Sequence, residues 1–315
     1  MTAEAPALRH RPRRPSTSAS IADAASTLTT AAKQALTVVW DELDDWRRDN
    51  HFIVRGYRRT SNSYWASFLS LGYLHNEFVN IWTHLLGAIG FTLGGLFLHN
   101  VVAPRYESAS DSDVLVFACF FGGAFLCLGM SATYHTLCNH SPEVARWGNK
   151  LDYTGIVFLI VGSYVPALYY GLFCHLALMT VYMSTIALLG CGCLTVSWFD
   201  HFRTPAWRPY RALMFVGLGT SGVVPILHVL ITEYSFSQLN ELMGLKWVIL
   251  QGGLYIFGAF LYAARWPERR SPGSFDIWGS SHQIFHVCVV LAAASHLYGM
   301  AKAFDFHHSV LGGKC

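Results

Sequence analysis

Seven long apolar runs follow one another along the chain, separated by short polar segments. A helix needs about 20 predominantly apolar residues to cross roughly 30 Å of hydrocarbon, and each run is long enough for one crossing. The third and fourth runs are separated only around residues 172–173, and without that break they would be too long for one crossing. The pattern predicts an all-α fold, a seven-transmembrane helix bundle. The predicted spans lie near residues 79–103, 114–138, 151–171, 174–198, 211–232, 247–265 and 281–303.

Composition supports a membrane protein. The 315 residues are 53% hydrophobic, 15% aromatic and 13% charged, which is too apolar and too poor in charge for an ordinary soluble domain. The net charge of +3 gives no reason to expect nucleic acid as a partner. Most of the eight cysteines lie inside apolar runs, so we expect small buried hydrophobic residues rather than a disulfide framework or a thiolate zinc site. The polar, Arg-rich start of the chain does not predict a signal peptide.

The polar and aromatic residues before the first span predict two further regions. The first 30 residues are rich in Ser, Thr, Ala, Pro and Arg, so we expect a disordered cytoplasmic tail. Residues 31–50 predict an amphipathic helix that either packs on the bundle or docks a partner, and Tyr64–Tyr73 predicts an interfacial stretch. The predicted organisation is a tail over 1–30, a juxtamembrane region over 31–75, a seven-helix transmembrane domain over 76–305 and a short exoplasmic tail over 306–315.

Basic residues concentrate in one set of connections, and this sets the orientation. The connections after spans 2, 4 and 6 and the amino-terminal region carry most of the Arg and Lys residues, whereas those after spans 1 and 5 carry only Arg105 and Lys246 beside several acidic residues. The positive-inside rule therefore predicts a cytoplasmic amino terminus and, with seven crossings, an exoplasmic or lumenal carboxyl terminus.

Histidines and one carboxylate lie at the ends of three spans. His135 lies near the end of span 2, Asp152 at the start of span 3, and His282 and His286 at the start of span 7. In the predicted topology all four fall at one level, near the cytoplasmic face. Ionisable groups at membrane depth are costly and usually bind something or face a wet cavity. Three histidines with one position open form the ligand set of a catalytic zinc, so we predict Zn²⁺ bound by the three imidazoles.

Helix geometry agrees with a single site and suggests roles for two neighbours. His282 and His286 are four residues apart, about 40° around the axis, so both can face one ion. Ser131 stands in the same relation to His135, with its hydroxyl about 6 Å deeper. Asp152 is expected to hold or deprotonate a metal-bound water, and Ser131 to help hold a developing oxyanion. The alternatives are hydrogen-bonded structural histidines and an Asp152 that only caps the start of span 3.

A fourth polar cluster precedes span 1. Glu77 and His84 are seven residues apart, within about 20° of one helix face, and Asn80 lies about 60° away. Two interpretations remain open: an interhelical hydrogen-bond network, or side chains that line the cavity or support the metal ligands. His228 and His296 lie too far from the same end to reach the same ion, and we expect them to be packing or cavity residues.

These motifs resemble those of a known family. Glu77-x-x-Asn80-x-x-x-His84, Ser131-x-x-x-His135, Asp152 and His282-x-x-x-His286 are similar in order and spacing to the pattern of the progestin and adipoQ receptor family. The resemblance covers about residues 60–303 and is strongest to the adiponectin-receptor and fungal haemolysin-III-like branch. It implies a seven-helix protein with a cytoplasmic-side zinc held by His135, His282 and His286, and kinship with membrane hydrolases such as alkaline ceramidases.

Two functions from different classes follow. The first is an intramembrane zinc hydrolase that cleaves a lipid amide such as ceramide and releases a fatty acid, in a receptor-like protein of lipid and zinc homeostasis. The second is a non-enzymatic receptor or zinc-homeostasis regulator whose zinc is structural. Expected partners are membrane lipids in the bundle cavity, either ceramide or free fatty acid, and an extracellular protein ligand. We expect a multi-pass protein of the plasma membrane or endoplasmic reticulum. A transporter ranks third because nothing suggests inverted repeats.

Overall fold

Within residues 36–315, which a computed structural model describes, seven helices are long and apolar enough to cross a membrane. The predicted disordered tail over residues 1–30 lies outside these described residues. The seven spans, numbered in chain order, are Phe78–Arg105, Asp111–Leu137, Pro142–Gly171, Leu176–Trp198, Pro209–Thr232, Leu245–Ala264 and Ser281–Ser309. The structure therefore confirms a mostly helical fold with seven candidate membrane spans, and most boundaries are close to those predicted from the apolar runs.

Span 3 differs most from its prediction, because its helix begins nine residues earlier than the apolar run. Pro142 occupies the first helical turn and the Ser141 hydroxyl accepts a hydrogen bond from the Val144 N–H at 3.4 Å, which is a strong start signal. The turns before Leu151 are polar, so the apolar run did not include them. Asp152 consequently lies three turns inside the helix, and the alternative that it merely caps span 3 is wrong.

Spans 2 and 3 pack closely because small residues face each other. A Cβ atom on Gly155 would lie 2.7 Å from the Cys127 Cα, and one on Gly162 would lie 2.5 Å from the Cys119 carbonyl oxygen. Such small-residue contacts let helix backbones approach each other in membranes, where packing rather than hydrophobicity drives association. The close contact fixes the register that brings the end of span 2 beside Asp152.

Span 5 consists of two helices, Arg208–Thr220 and Val223–Thr232. At the break the Tyr164 hydroxyl of span 3 accepts a hydrogen bond from the Gly222 N–H at 2.5 Å and donates one to the Gly219 carbonyl at 2.6 Å. A neighbouring span thus satisfies the backbone groups that the break releases, as lipid-embedded backbone requires.

The predicted amphipathic helix over residues 31–50 is wrong for the described part. Residues 37–58 instead form a short antiparallel pair, β1 (Thr37–Val38) and β2 (Tyr57–Arg58), with intervening 3-10 turns. Val38, Leu43 and Tyr57 share a small buried cluster. We call residues 37–58 the amino-terminal cap. The apolar periodicity of this region therefore reflects the buried cluster rather than one face of a helix. The interfacial prediction is in better agreement, since helix Tyr64–Leu69 exposes Trp65 and other apolar side chains.

The remaining elements are short. Helix Phe236–Met243 precedes span 6. Span 1 is α-helical over Phe78–Phe97 and ends in a π-turn and a 3-10 turn, Leu98–Val102 and Ala103–Arg105. The other 3-10 helices are Trp40–Glu42, Asp45–Arg47, Ser70–Gly72, Asp200–Arg203 and Pro205–Trp207.

One disulfide corrects the prediction made for the cysteines. Cys174, between spans 3 and 4, is bonded to Cys315 near the carboxyl terminus, with the two Cα atoms 5.4 Å apart. Cys127 and Cys288 are buried thiols, as expected, but Cys191 is exposed. No spacing rule predicts this pair, because its members are 141 residues apart. The bond lies at the end of the bundle opposite the histidine cluster.

Candidate metal centre

Three imidazoles from two spans meet at one end of the bundle. The His282 Nε2 lies 3.2 Å from the His135 Nε2 and 3.1 Å from the His286 Nε2. In a tetrahedral site with Zn–N bonds of about 2.0–2.1 Å, ligand nitrogens stand about 3.3 Å apart. Both distances match this spacing, and one ligand atom from each of the three residues lies within 4.8 Å of the others. Within residues 36–315, this is the one group of histidine, cysteine or acidic side chains that could hold a metal ion.

Span 1 orients two of the three imidazoles. The Glu77 carboxylate accepts a hydrogen bond from the His135 Nδ1 at 2.7 Å, and the Asn80 side-chain amide donates to the same carboxylate oxygen at 2.6 Å. The Asn80 carbonyl accepts from the His286 Nδ1 at 3.0 Å. Protons on both Nδ1 atoms leave both Nε2 lone pairs free to bind a cation, which is the usual arrangement around metal-bound histidines.

Span 1 therefore combines both interpretations of its polar cluster: it forms an interhelical network, and that network holds the candidate ligands. His84 completes the contact by stacking on His286, with ring centroids 3.7 Å apart and planes 9° apart. Both of its ring nitrogens are buried without a hydrogen-bond partner. His84 thus fixes the plane of a ligand ring through packing alone.

Asp152 and Ser131 lie together beside the histidines. The Asp152 carboxyl lies near the Ser131 side chain and is close enough to His135 to interact with it electrostatically. Asp152 and His282 are partly accessible, whereas Ser131, His135 and His286 are buried. The group is thus less enclosed on the side of Asp152 and His282 than on its other sides. The structure brings the three candidate ligands together and places Asp152 near His135, whereas the roles assigned to Asp152 and Ser131 stay predictions.

His228 and His296 remain apart from this group. The His228 Nδ1 is 2.7 Å from the Tyr182 hydroxyl, so this residue links spans 4 and 5. His296 is buried in span 7 next to the ring of Phe120, with centroids 5.1 Å apart. Both therefore match the expectation of packing or cavity residues.

Arg58 is a supporting residue that the sequence reasoning missed. Its guanidinium is 1% exposed and donates to the carbonyls of His135 and Thr136 at 2.6 and 2.8 Å. These are carbonyls at the carboxyl end of a helix, where a cation is favoured. Arg58 therefore anchors the turn that carries His135. No sequence signal marks it, because its position depends on the β1–β2 pair.

A second support holds the start of span 7. The fully buried Glu268 carboxylate accepts hydrogen bonds from the Asn50 amide at 3.1 Å, the Ser281 N–H at 2.8 Å and the Ser281 hydroxyl. Because Ser281 precedes His282, these contacts fix the first turn that bears two candidate ligands. The amino-terminal cap thus contacts the end of span 2 directly through Arg58 and supports the start of span 7 through Glu268.

Two ionisable residues at the start of span 1, Glu77 and His75, have pKa values shifted by their surroundings. Burial would raise the pKa of the Glu77 carboxyl, but the His135 and His282 imidazoles and the Asn80 amide outweigh it and hold the pKa below its usual range. Burial, assisted by the Arg58 guanidinium, lowers the pKa of His75 to about 3. A neutral His75 can accept the hydrogen bond that the Glu77 N–H donates to its Nδ1 at 3.1 Å. A Glu77 carboxylate and a neutral His75 therefore lie side by side at the start of span 1.

Comparisons with known proteins agree with these features. A family model described as haemolysin-III related matches residues 72–297. Similar proteins include the adiponectin receptor protein of Drosophila melanogaster, 47% identical over 263 residues, which are 84% of this chain and 58% of that protein. The ADIPOR-like receptor IZH2 of Saccharomyces cerevisiae is 45% identical over 269 residues, or 85% of this chain and 84% of the relative.

A nematode relative adds a third name. The progestin and adipoQ receptor-like protein 1 of Caenorhabditis elegans is 42% identical over 264 residues, which are 84% of this chain and 60% of that protein. The chain thus spans about three fifths of the fly and nematode relatives. The matched family region contains the Glu77 cluster and every candidate ligand. The chain belongs to the haemolysin-III related family, which includes the progestin and adipoQ receptors.

Proposed function

We propose that this receptor-like membrane protein binds zinc near the cytoplasmic face and hydrolyses lipid amides such as ceramide. The observation that carries the proposal is the cluster formed by His135, His282 and His286, with the Asp152 carboxyl near His135. His135, His282 and His286 would hold the ion. Three neutral imidazoles leave one position of a tetrahedral zinc for water or substrate, which favours a catalytic over a closed structural ion.

Each residue then has a role in amide cleavage. When bound, zinc lowers the pKa of water towards about 7 and polarises a carbonyl. Asp152 takes the proton from the attacking water and passes it to the leaving amine. The Ser131 hydroxyl donates to the developing oxyanion. Glu77 and the Asn80 carbonyl keep the ligand imidazoles in the required tautomer.

The surroundings offer room for an acyl chain. A groove of about 710 Å³ runs between helix Tyr64–Leu69, span 1 and span 2, and its walls are almost entirely apolar. Ala132 and Thr136, neighbours of Ser131 and His135, line it, so the groove reaches the level of the candidate ligands. Ligand pockets are commonly about 300–1,000 Å³. A lipid acyl chain is therefore a suitable occupant of this groove, which lies next to the proposed reaction centre.

Hydrolysis of a long-chain ceramide by purified wild type and Asp152→Asn protein tests the proposal. The amide keeps the shape and one acceptor but takes no proton, so we expect activity to fall about 10²–10⁴-fold while zinc content stays constant. The exposed Asp41→Asn change is the matched control and should leave turnover unchanged. Undiminished turnover in zinc-replete Asp152→Asn protein would contradict the assigned role.

The relatives' names support a second candidate, a non-enzymatic receptor or zinc-homeostasis regulator in which zinc is structural. It predicts no turnover by wild type on any long-chain amide, together with retained zinc. An extracellular protein ligand and residence in the plasma membrane or endoplasmic reticulum are compatible with both candidates. The same hydrolysis assay on wild type distinguishes them.

A further inference from the structure

A serine, a histidine and an aspartate form a hydrogen-bonded chain at the end of the bundle opposite the metal centre. The His308 Nδ1 lies 2.8 Å from the Ser108 Oγ, and its Nε2 lies 3.2 Å from the Asp113 Oδ1. Ser108 comes from the connection before span 2, Asp113 from the first turn of span 2 and His308 from the last turn of span 7. Residues 195–200 positions apart in sequence are thus brought into one line.

The aspartate is oriented independently of the histidine. Its Oδ2 accepts from the Ser110 N–H at 2.9 Å and from the Ser110 hydroxyl at 2.8 Å, and its Oδ1 accepts from the Tyr170 hydroxyl at 2.7 Å. A carboxylate held in this way accepts the His308 Nε2–H and leaves the Nδ1 lone pair facing the serine hydroxyl. Nucleophile, base and orienting acid then stand in the order that activates a serine.

The imidazole itself is fixed and shielded. The side chains of His308 and Asp113 are only 5% and 6% exposed. The Phe304 ring lies 4.4 Å from the His308 ring, centroid to centroid, and holds its plane. Hydrogen bonds within such a shielded site are stronger than in water. The side chains of His308 and Asp113 are therefore held inside the protein rather than exposed on its surface.

A small cavity adjoins the serine. It has a volume of about 120 Å³, and its walls include Ser108, Asp113, His308, Tyr169 and Gly313. Ser108 is partly accessible, and the Tyr169 side chain carries an O–H group that can donate to an acyl oxygen. The neighbouring pair formed by Tyr106 and Asp305, 2.7 Å apart, closes the same end of the bundle but does not line the cavity. Of the Ser108, Tyr106 and Tyr169 hydroxyls, therefore, only that of Ser108 both contacts the His308 imidazole and adjoins a cavity that can hold a reacting group.

We propose that Ser108, His308 and Asp113 form a second active site that cleaves short-chain carboxylic esters. The Ser108 Oγ bonds to the ester carbonyl carbon as its proton moves to the His308 Nδ1, and the C–O bond breaks as the leaving alcohol takes that proton. Water then attacks the acyl-serine, gives one proton to the His308 Nδ1 and releases the carboxylic acid as that proton returns to Ser108. The small cavity restricts the acyl group to short chains.

A fluorophosphonate probe, which reacts with activated serines, tests this site in the full chain. Peptide mapping should find the probe on Ser108. The labelling rate should fall at least about 100-fold in His308→Gln, which removes the base, and should disappear in Ser108→Ala. The exposed Ser309→Ala change, next to His308, is the matched control and should not alter labelling. Hydrolysis of p-nitrophenyl acetate should follow the same order among the variants.

Two further measurements separate this site from the metal centre and check that the protein is folded. Labelling should persist in the His282→Ala/His286→Ala variant and in the presence of a chelator, because the proposed site holds no metal and lies at the opposite end. An intact Cys174–Cys315 disulfide checks that this end is folded. A wild-type protein with that disulfide that does not react, or that carries the probe elsewhere than on Ser108, would overturn the proposal, as would equal labelling of a folded His308→Gln variant.

Discussion

Glu77 shows, at the scale of single residues, how a side chain outside the candidate ligand set can orient one of the ligands. It fixes the His135 tautomer through the 2.7 Å contact with Nδ1, and Asn80 in turn fixes Glu77. The seven-residue spacing of Glu77 and His84 indicated one inward helix face, and the structure confirms it. The spacing did not indicate which imidazole Glu77 would meet, because that depends on the register between spans 1 and 2.

A Glu77→Gln variant tests this role. The amide can still accept from Nδ1 but has lost the negative charge behind the imidazole, so zinc affinity should fall about 10–100-fold, as is typical for such supporting groups. Competition with a chelator of known affinity measures the change in the purified protein. The exposed carboxylate of Glu241 supplies the control, Glu241→Gln. Unchanged affinity in Glu77→Gln would show that the carboxylate has no part in binding the ion.

Helix starts and breaks explain where the elements differ from the apolar pattern. The runs predicted the membrane-embedded part of each span, because hydropathy reports only that part. They did not predict the polar first turns of span 3, which a Ser-Pro start extends, or the break in span 5, which Tyr164 stabilises. The amino-terminal cap was missed for a related reason: short strands pair through residues that are distant in sequence, and periodicity does not record such pairing.

The break in span 5 leads to a prediction about the stability of the protein. Tyr164→Phe removes the hydroxyl that contacts Gly219 and Gly222 and leaves two backbone groups without that partner. The free energy of unfolding should fall by about 1–3 kcal/mol, the usual cost of an unsatisfied buried polar group. Thermal unfolding in detergent measures it, with the exposed Tyr210→Phe as the control. Equal stability of the two variants would mean that the break needs no such support.

The arrangement of the whole molecule gives a second argument for the predicted orientation, which stays a prediction. The candidate ligands and the amino-terminal cap lie at one end, and the Cys174–Cys315 disulfide at the other. Disulfides form mainly in oxidising compartments, so the bond favours an exoplasmic or lumenal location for the end that basic residues avoid. Charge and redox chemistry, which are independent, thus support the same topology.

Protease-accessible tags test this topology directly. A tag on the amino terminus of a protein in sealed, right-side-out vesicles should be protected, and one after Cys315 should be cleaved. Both tags should be cleaved once detergent opens the vesicles, which controls for access. Finding both termini on one side would require an even number of crossings and would contradict the seven-span topology.

The central claim, a zinc bound by three histidines of spans 2 and 7, is tested most directly by metal analysis of the purified protein. Wild type should contain about one zinc per chain, and His282→Ala/His286→Ala should lose most of it, because one imidazole does not hold the ion alone. The variant should remain folded, since helix packing stabilises the bundle independently of the ion. Undiminished zinc in the folded double variant would contradict the account.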